Sequence, residues 1–117
     1  MNIQIFGTKK CFDTKKAERF FKERRIKYQL IDMKEKGMSK GELNSVKIAV
    51  GINELINVKS KNYLKSNISN VRSSDVKEEI LFKDQSLIAT PVVRNGRMAT
   101  LGFKPEVWDE WIASSNK

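Results

Sequence analysis

Within its first 32 residues the chain changes hydrophobic period twice, and this limits its fold more than any other feature. Ile3, Ile5 and Phe6 make a short apolar strand, and Gly7 to Lys10 read as a turn. Ala17, Phe20 and Phe21 then fall at i, i+3 and i+4, which puts them on one face of a helix. Asp13 is a candidate cap for that helix, which is expected to run from Thr14 to about Arg25. Tyr28, Leu30 and Ile31 return to an extended pattern that ends near Asp32. Strand, helix and strand at this spacing make a β-α-β unit, and such units pair their strands in parallel through a right-handed crossover.

The middle of the chain is helical and lysine-rich. Ser39-Lys40-Gly41-Glu42 is a capping box, followed by the stripe Leu43, Val46 and Val50. Gly51 is the expected stop. Short helical turns are expected over 53–66, and Ser73-Ser74-Asp75 opens a further helix with Val76, Ile80 and Leu81 facing inward. The last third changes character again. Thr90-Pro91-Val92-Val93 is extended, Asn95-Gly96 predicts a type I′ hairpin, and Met98 to Leu101 returns as an antiparallel strand. Pro105 suits the first turn of a terminal helix whose buried stripe is Val107, Trp108, Trp111 and Ile112. The expected architecture is one α/β domain over 1–117 with a small mixed sheet and a helical insertion at about 38–86. A chain of 117 residues suffices for one core and is too short for two.

Composition narrows the chemistry. There is no histidine and only one cysteine. An internal disulfide, a Cys-His dyad and a structural zinc site are therefore excluded, and no metal is expected. A lone free thiol fits a reducing compartment, so the expected location is the cytoplasm. No stretch approaches the roughly 20 apolar residues that span a bilayer, and no signal peptide is seen. Twenty-three basic against 14 acidic side chains leave a net charge of +9, which favours anionic partners. Specific nucleic-acid binding is not expected, because no recognition helix, zinc pattern or stacking motif accompanies that charge.

Cys11 is the candidate catalytic residue. A free cysteine is often only a small buried hydrophobe. This one lies between a strand and a helix, where free N–H groups and the helix dipole stabilise a thiolate. Lys9, Lys10, Lys15 and Lys16 crowd the same turn, and Lys10 and Lys15 are candidates to lower the thiol pKa or hold an anion. Thr14 stands where a dithiol motif has its second cysteine. Its hydroxyl either bonds the thiolate or is a neutral first-turn residue, but it cannot resolve a mixed disulfide. A monothiol must be resolved by glutathione, a partner protein or a second molecule. Pro91 is either the start of an edge strand or a cis-proline facing the cysteine. With βα at one end and ββα at the other, it points to a thioredoxin-like fold.

The chain resembles the arsenate reductase-like and Spx-type family, a thioredoxin-fold group with a helical insertion. The resemblance runs nearly end to end. It is carried by Ile5-Phe6-Gly7-Thr8-Lys9-Lys10-Cys11, Lys15-Lys16-Ala17, Asn57-Val58-Lys59-Ser60-Lys61, Thr90-Pro91-Val92-Val93 and Leu101-Gly102-Phe103-Lys104-Pro105. It implies that Cys11 attacks or senses an oxidised species. In the arsenate reductases three arginines help to hold the oxyanion, and the matching positions here are Lys59, Thr90 and Lys104. Lysine keeps the charge but loses the planar fork, and threonine loses the charge as well. Efficient arsenate reduction is therefore not expected.

Two functions follow from the resemblance. The first is a thiol-dependent oxidoreductase-like enzyme with Cys11 as nucleophile and glutathione as a co-substrate, holding no bound cofactor. Thr90 and Pro91 would shape the substrate wall, and Lys59 and Lys104 would attract an oxyanion or a carboxylate of a small anionic or thiol substrate. The second is an Spx-like transcription regulator that binds the C-terminal domain of the RNA polymerase α-subunit. Gly51 and Lys59 fall near the positions such regulators use, although the favoured reading of Gly51 is a helix stop. Cys11-Phe12-Asp13-Thr14 lacks the Cys-x-x-Cys switch of those regulators. No membrane partner is expected, and the expected state is a monomer.

Overall fold

The computed structural model describes residues 1–115. The last two residues of the expected 1–117 domain lie outside the described ones. Strand β1 (Ile3–Gly7), helix α1 (Phe12–Glu23) and strand β2 (Tyr28–Asp32) form the N-terminal unit, with β1 and β2 parallel and Ile5 opposite Leu30. Helices α2 (Lys40–Val50), α3 (Ile52–Leu55), α4 (Tyr63–Ser66) and α5 (Ser74–Lys83) follow, with 3-10 turns at Ile68–Asn70 and Gln85–Leu87. The chain closes with β3 (Val92–Asn95), β4 (Met98–Leu101) and α6 (Pro105–Ser115). The sheet order is β2-β1-β3-β4, and β3 is antiparallel to both of its neighbours.

The two central strands carry side chains into both layers. Ile3, Ile5 and Val93 meet α1 and α6 through Ala17, Phe20, Phe21, Trp108 and Trp111. Phe6, Ile31 and Val92 face the insertion, where Leu43, Val46, Leu55, Ile68, Leu81 and Leu87 complete a second cluster. Pairing Ile5 with Val93 and Phe6 with Val92 is the register that keeps these two sets apart. The insertion is thus half of the core, covering the sheet face that α1 and α6 leave bare. No helix among the described residues is long and apolar enough to cross a membrane.

Most local signals match the observed elements; the differences are Val76 of α5, which is 45% exposed instead of facing inward, the start of α1 and the hairpin turn. The Ser39 capping box is present with both of its bonds, Gly51 is the C-cap of α2, and Ser73 caps α5. However, α1 starts at Phe12 with Cys11 as its N-cap, so Asp13 sits in the first turn instead of before it. Lys15 N–H closes onto the Cys11 carbonyl at 3.4 Å, which makes the thiol-bearing residue the boundary of the helix. In the hairpin, Asn95 pairs with Met98, so the two-residue loop is Gly96-Arg97. Of these two only Gly96 has a positive φ, +63°, which matches the II′ pattern of glycine at the first loop position and not I′. The antiparallel register from Phe6 through Asn95 takes Asn95 into the strand and moves the turn one residue along.

Trp108 joins the two ends of the fold. It is fully buried, packs against Phe20 and Phe21 at centroid distances of 5.1 and 5.2 Å, and donates from Nε1 to Thr100 Oγ1 at 2.8 Å. Trp108→Ala should cost about 3–5 kcal/mol in a urea-unfolding measurement. A loss below about 1 kcal/mol would show that α6 does not help hold α1 on the sheet.

Candidate active site

Gly7 ends β1, and the first turn of α1 packs directly over it. A Cβ on Gly7 would collide with Thr14 Oγ1 and Cγ2. That close approach fixes where α1 begins, and Cys11, as N-cap, is held over the end of the strand. Cys11 N–H donates to the Thr8 carbonyl at 3.2 Å. The thiol is half-buried, and its S–H donates to the Thr90 carbonyl at 3.6 Å. The Thr90–Pro91 peptide is cis. Pro91 is buried, and its carbonyl accepts the Gly102 N–H at 2.8 Å, so the segment leading to α6 lies beside the cysteine wall.

Opposing effects set the thiol pKa. Burial pushes it up. The Thr14 and Thr90 side chains and the backbone N–H groups of Thr14 and Asp13 pull it down, and the net direction is downward. All are neutral donors, those of Thr14 and Asp13 at the N-terminus of α1 and that of Thr90 on the facing wall, and no lysine is among them. Thr14 is 2% exposed and its Oγ1 has no hydrogen-bond partner within the protein. An unpaired buried hydroxyl is costly, and a thiolate at Cys11 is the acceptor it lacks.

The sequence-predicted site residues divide into two groups. Cys11, Thr14, Thr90 and Pro91 come together. Lys10 and Lys15 lie on the same turn but are exposed, and Lys15 Nζ rests 5.8 Å from the Phe12 ring centroid. Lys59 is exposed on the segment after α3, where its N–H donates to Asn57 Oδ1 at 3.0 Å. Lys104 precedes α6 and lines a different cleft with Ala49, Val50 and Glu54. Of the three positions matched to the oxyanion-holding arginines, Thr90 and Lys104 thus line two different clefts, and Lys59 lines neither of these.

Residues that sequence reasoning missed complete the cysteine face. A cleft of about 410 Å³ runs from Thr8 and Thr90 past Met33 and Lys34 to Asn57, Gln85 and Ser86. Gln85 holds one side of it, accepting from Met38 N–H and donating to the Met38 carbonyl at 2.8 Å. This bridge ties the end of the insertion back to its beginning. No local pattern marks it, because the partners are 47 positions apart. Phe12 is 79% exposed and Phe103 38%, and Lys16 lies over the Phe103 ring at 5.7 Å. Among the described residues no group of three or more Cys, His, Asp or Glu side chains is placed to hold a metal ion.

The ArsC family model matches residues 6–111. The Bacillus subtilis uncharacterized protein YusI is 26% identical over 115 residues, covering 94% of this chain and 98% of YusI. The Staphylococcus aureus protein SACOL0876 is 30% identical, with a TM-score of 0.76 over 92% of this chain and 96% of that one. An arsenate reductase from Vibrio cholerae superposes with a TM-score of 0.82 at 23% identity, covering 94% and 97% of the two chains. These likenesses are of fold, a thioredoxin-like α/β sheet with a helical insertion.

Replacing Thr14 separates stability from thiol chemistry. Thr14→Val keeps the shape and removes the unpaired hydroxyl, so near pH 7 the variant should be more stable by about 1 kcal/mol. It should also alkylate more slowly with iodoacetamide, because its thiol pKa rises. The sign of the pH dependence follows from the wild type's lowered folded-state pKa. That lowering adds stability above the unfolded thiol value, about 8.5, and the gain disappears as pH falls through the folded value. The wild type should therefore recover ground on Thr14→Val at alkaline pH. A variant that is less stable at pH 7 and equally reactive would contradict this assignment.

Proposed function

The chain belongs to the ArsC family, and on that premise we propose that it is a thiol-dependent oxidoreductase-like protein with Cys11 as its nucleophile. The observation that carries the reading is the sulfur at the N-cap of a 12-residue helix, with its pKa held down by hydroxyl and backbone donors. In this reading the thiolate attacks an oxidised sulfur, forms a mixed disulfide and releases the displaced thiolate. Cys11 is the only cysteine in this sequence, so a second thiol from outside the chain, for which glutathione is our candidate, must restore it. Thr90 and Pro91 form the wall against which the incoming sulfur is aligned.

Arsenate is a poor fit in this account. Thr90 replaces a cation at the wall, and Lys104 opens onto another cleft. A free single thiol also supports work in a reducing compartment, the cytoplasm. Oxidised glutathione should add one glutathione to the wild type by mass spectrometry and none to Cys11→Ser. Arsenate with glutathione should give turnover no higher than the Cys11→Ser background. Failure to form the adduct at pH 8 would defeat the thiol reading, and Cys11-dependent arsenate turnover would defeat the substrate exclusion.

A second reading, an Spx-like regulator bound to the C-terminal domain of the RNA polymerase α-subunit, draws on the insertion. Ile48, just before Gly51, is 78% exposed, and Val58, beside Lys59, is 61% exposed. Binding to that domain that is lost in a Lys59→Glu variant would support it. The absence of binding at tens of micromolar would exclude a specific complex of ordinary strength.

A further inference from the structure

A circuit of bonds that starts and ends at Cys11 runs around the cleft beside the thiol. Cys11 N–H donates to the Thr8 carbonyl, and the Gly7 carbonyl accepts Met33 N–H at 2.9 Å, which ties the loop after β2 to the cysteine turn. That loop curls on itself, with Glu35 and Lys36 N–H both donating to the Asp32 carbonyl, and leads to Met38. Gln85 meets Met38 there. Its Oε1 accepts Met38 N–H at 2.6 Å, and its Nε2 donates to the Met38 carbonyl at 2.8 Å. The 3-10 turn that begins at Gln85 is followed by Ile88 N–H donating to the Gln85 carbonyl at 3.1 Å. Thr90 comes shortly after, and its carbonyl accepts the Cys11 S–H. Thr8, Met33, Gln85, Ile88 and Thr90 line the same cleft.

The Gln85 clasp joins the two halves of this circuit, the one attached to the cysteine turn and the one that carries Thr90. The other bonds of the Thr90 half, Ala89 N–H to the Leu55 carbonyl and Asn57 N–H to the Leu87 carbonyl, lead back into the insertion and not to the cysteine turn. Apolar packing holds the insertion on the sheet, but that attraction is non-directional. The clasp is directional, and the backbone is shaped around it. Gly37 is buried with φ at +71°, and a Cβ there would collide with Gln85 Oε1. A glutamine amide supplies both the acceptor and the donor that Met38 needs; glutamate lacks the donor, and methionine lacks both.

We propose that Gln85 is a positioning residue for the thiol chemistry, fixing through Met38 the place at which Thr90 stands against the Cys11 sulfur. The proposal rests on the thiol reading above. Gln85 does not touch the sulfur: its side-chain bonds go to Met38 and Phe82. Its effect on Cys11 therefore passes through Thr90.

The test titrates the Cys11 thiolate by ultraviolet absorbance, and measures alkylation by iodoacetamide at pH 7, in the wild type, Gln85→Met, Thr90→Val and the double variant. Gln85→Met keeps an unbranched side chain and removes both amide bonds. Its thiolate midpoint should move upward, and its alkylation should be about threefold slower than that of the wild type, the effect of weakening one neutral hydrogen bond. The midpoint of the double variant should be no higher than that of Thr90→Val alone, because residues that act through one another do not add. Gln85→Glu keeps the acceptor for Met38 N–H and loses the donor, so its midpoint should fall between those of the wild type and Gln85→Met. It takes the place of Gln85→Met in the same cycle if that variant does not fold. A Gln85 variant that is less stable in urea but titrates and alkylates as the wild type does overturns the proposal, since the clasp is then structural only. Shifts that add in the double variant overturn it as well, and both results leave the thiol reading intact. A wild-type midpoint that is not lowered by folding removes the thiol reading and this proposal with it.

Discussion

The contact between Gly7 and Thr14 governs the site. A helix can approach the end of β1 this closely only because residue 7 has no side chain, and the approach determines which residue caps the helix. Cys11 is that residue. The free N–H groups of the first turn, which in most helices are met by a side-chain oxygen, here lie next to a sulfur. The same packing buries the Thr14 hydroxyl without a partner. The protein thus keeps a buried donor unpaired beside its one thiol, a local cost that stabilising substitutions elsewhere in a core do not carry.

The rest of the fold keeps that contact in place. Trp108 and Phe21 press α1 onto the sheet from one side, and the insertion covers the other face through Phe6 and Val92. Thr90 reaches the sulfur because β3 pairs with β1 in the register that sets Val92 opposite Phe6. The cysteine wall and the cysteine turn come from opposite ends of the chain and meet through the two central strands.

Features written in local pattern were legible in the sequence. The β-α-β unit, the Ser39 capping box, the helix after Ser73, the strand after Pro91 and the tryptophan stripe each depend on neighbours within a few residues. The features that were not legible depend on distant parts of the chain. Asp13 is as good a cap as the sequence offers, yet packing on Gly7 starts α1 one residue after the cysteine. Asn95-Gly96 is a strong turn signal, yet pairing with β1 draws Asn95 into the strand. Thr14 and Thr90 could be singled out in the sequence because one follows Cys11 by three residues and the other precedes Pro91, and the fold brings both to the sulfur. Gln85 could not, because its role arises only from meeting Met38. Lys59 and Lys104 were picked by resemblance alone; Lys104 lines a different cleft from Thr90, and Lys59 lines neither of those two.

The chemistry follows from a thiol whose environment favours the charged form despite burial. Neutral donors do that work, and the exposed lysines around it are left to act on whatever approaches. The most direct test is to titrate the Cys11 thiolate by its ultraviolet absorbance in the folded protein and in the same protein unfolded in urea. The midpoint is expected to be lower in the folded protein. A folded midpoint equal to or above the unfolded one would contradict it, leaving Cys11 as a half-buried small hydrophobe at the start of a helix.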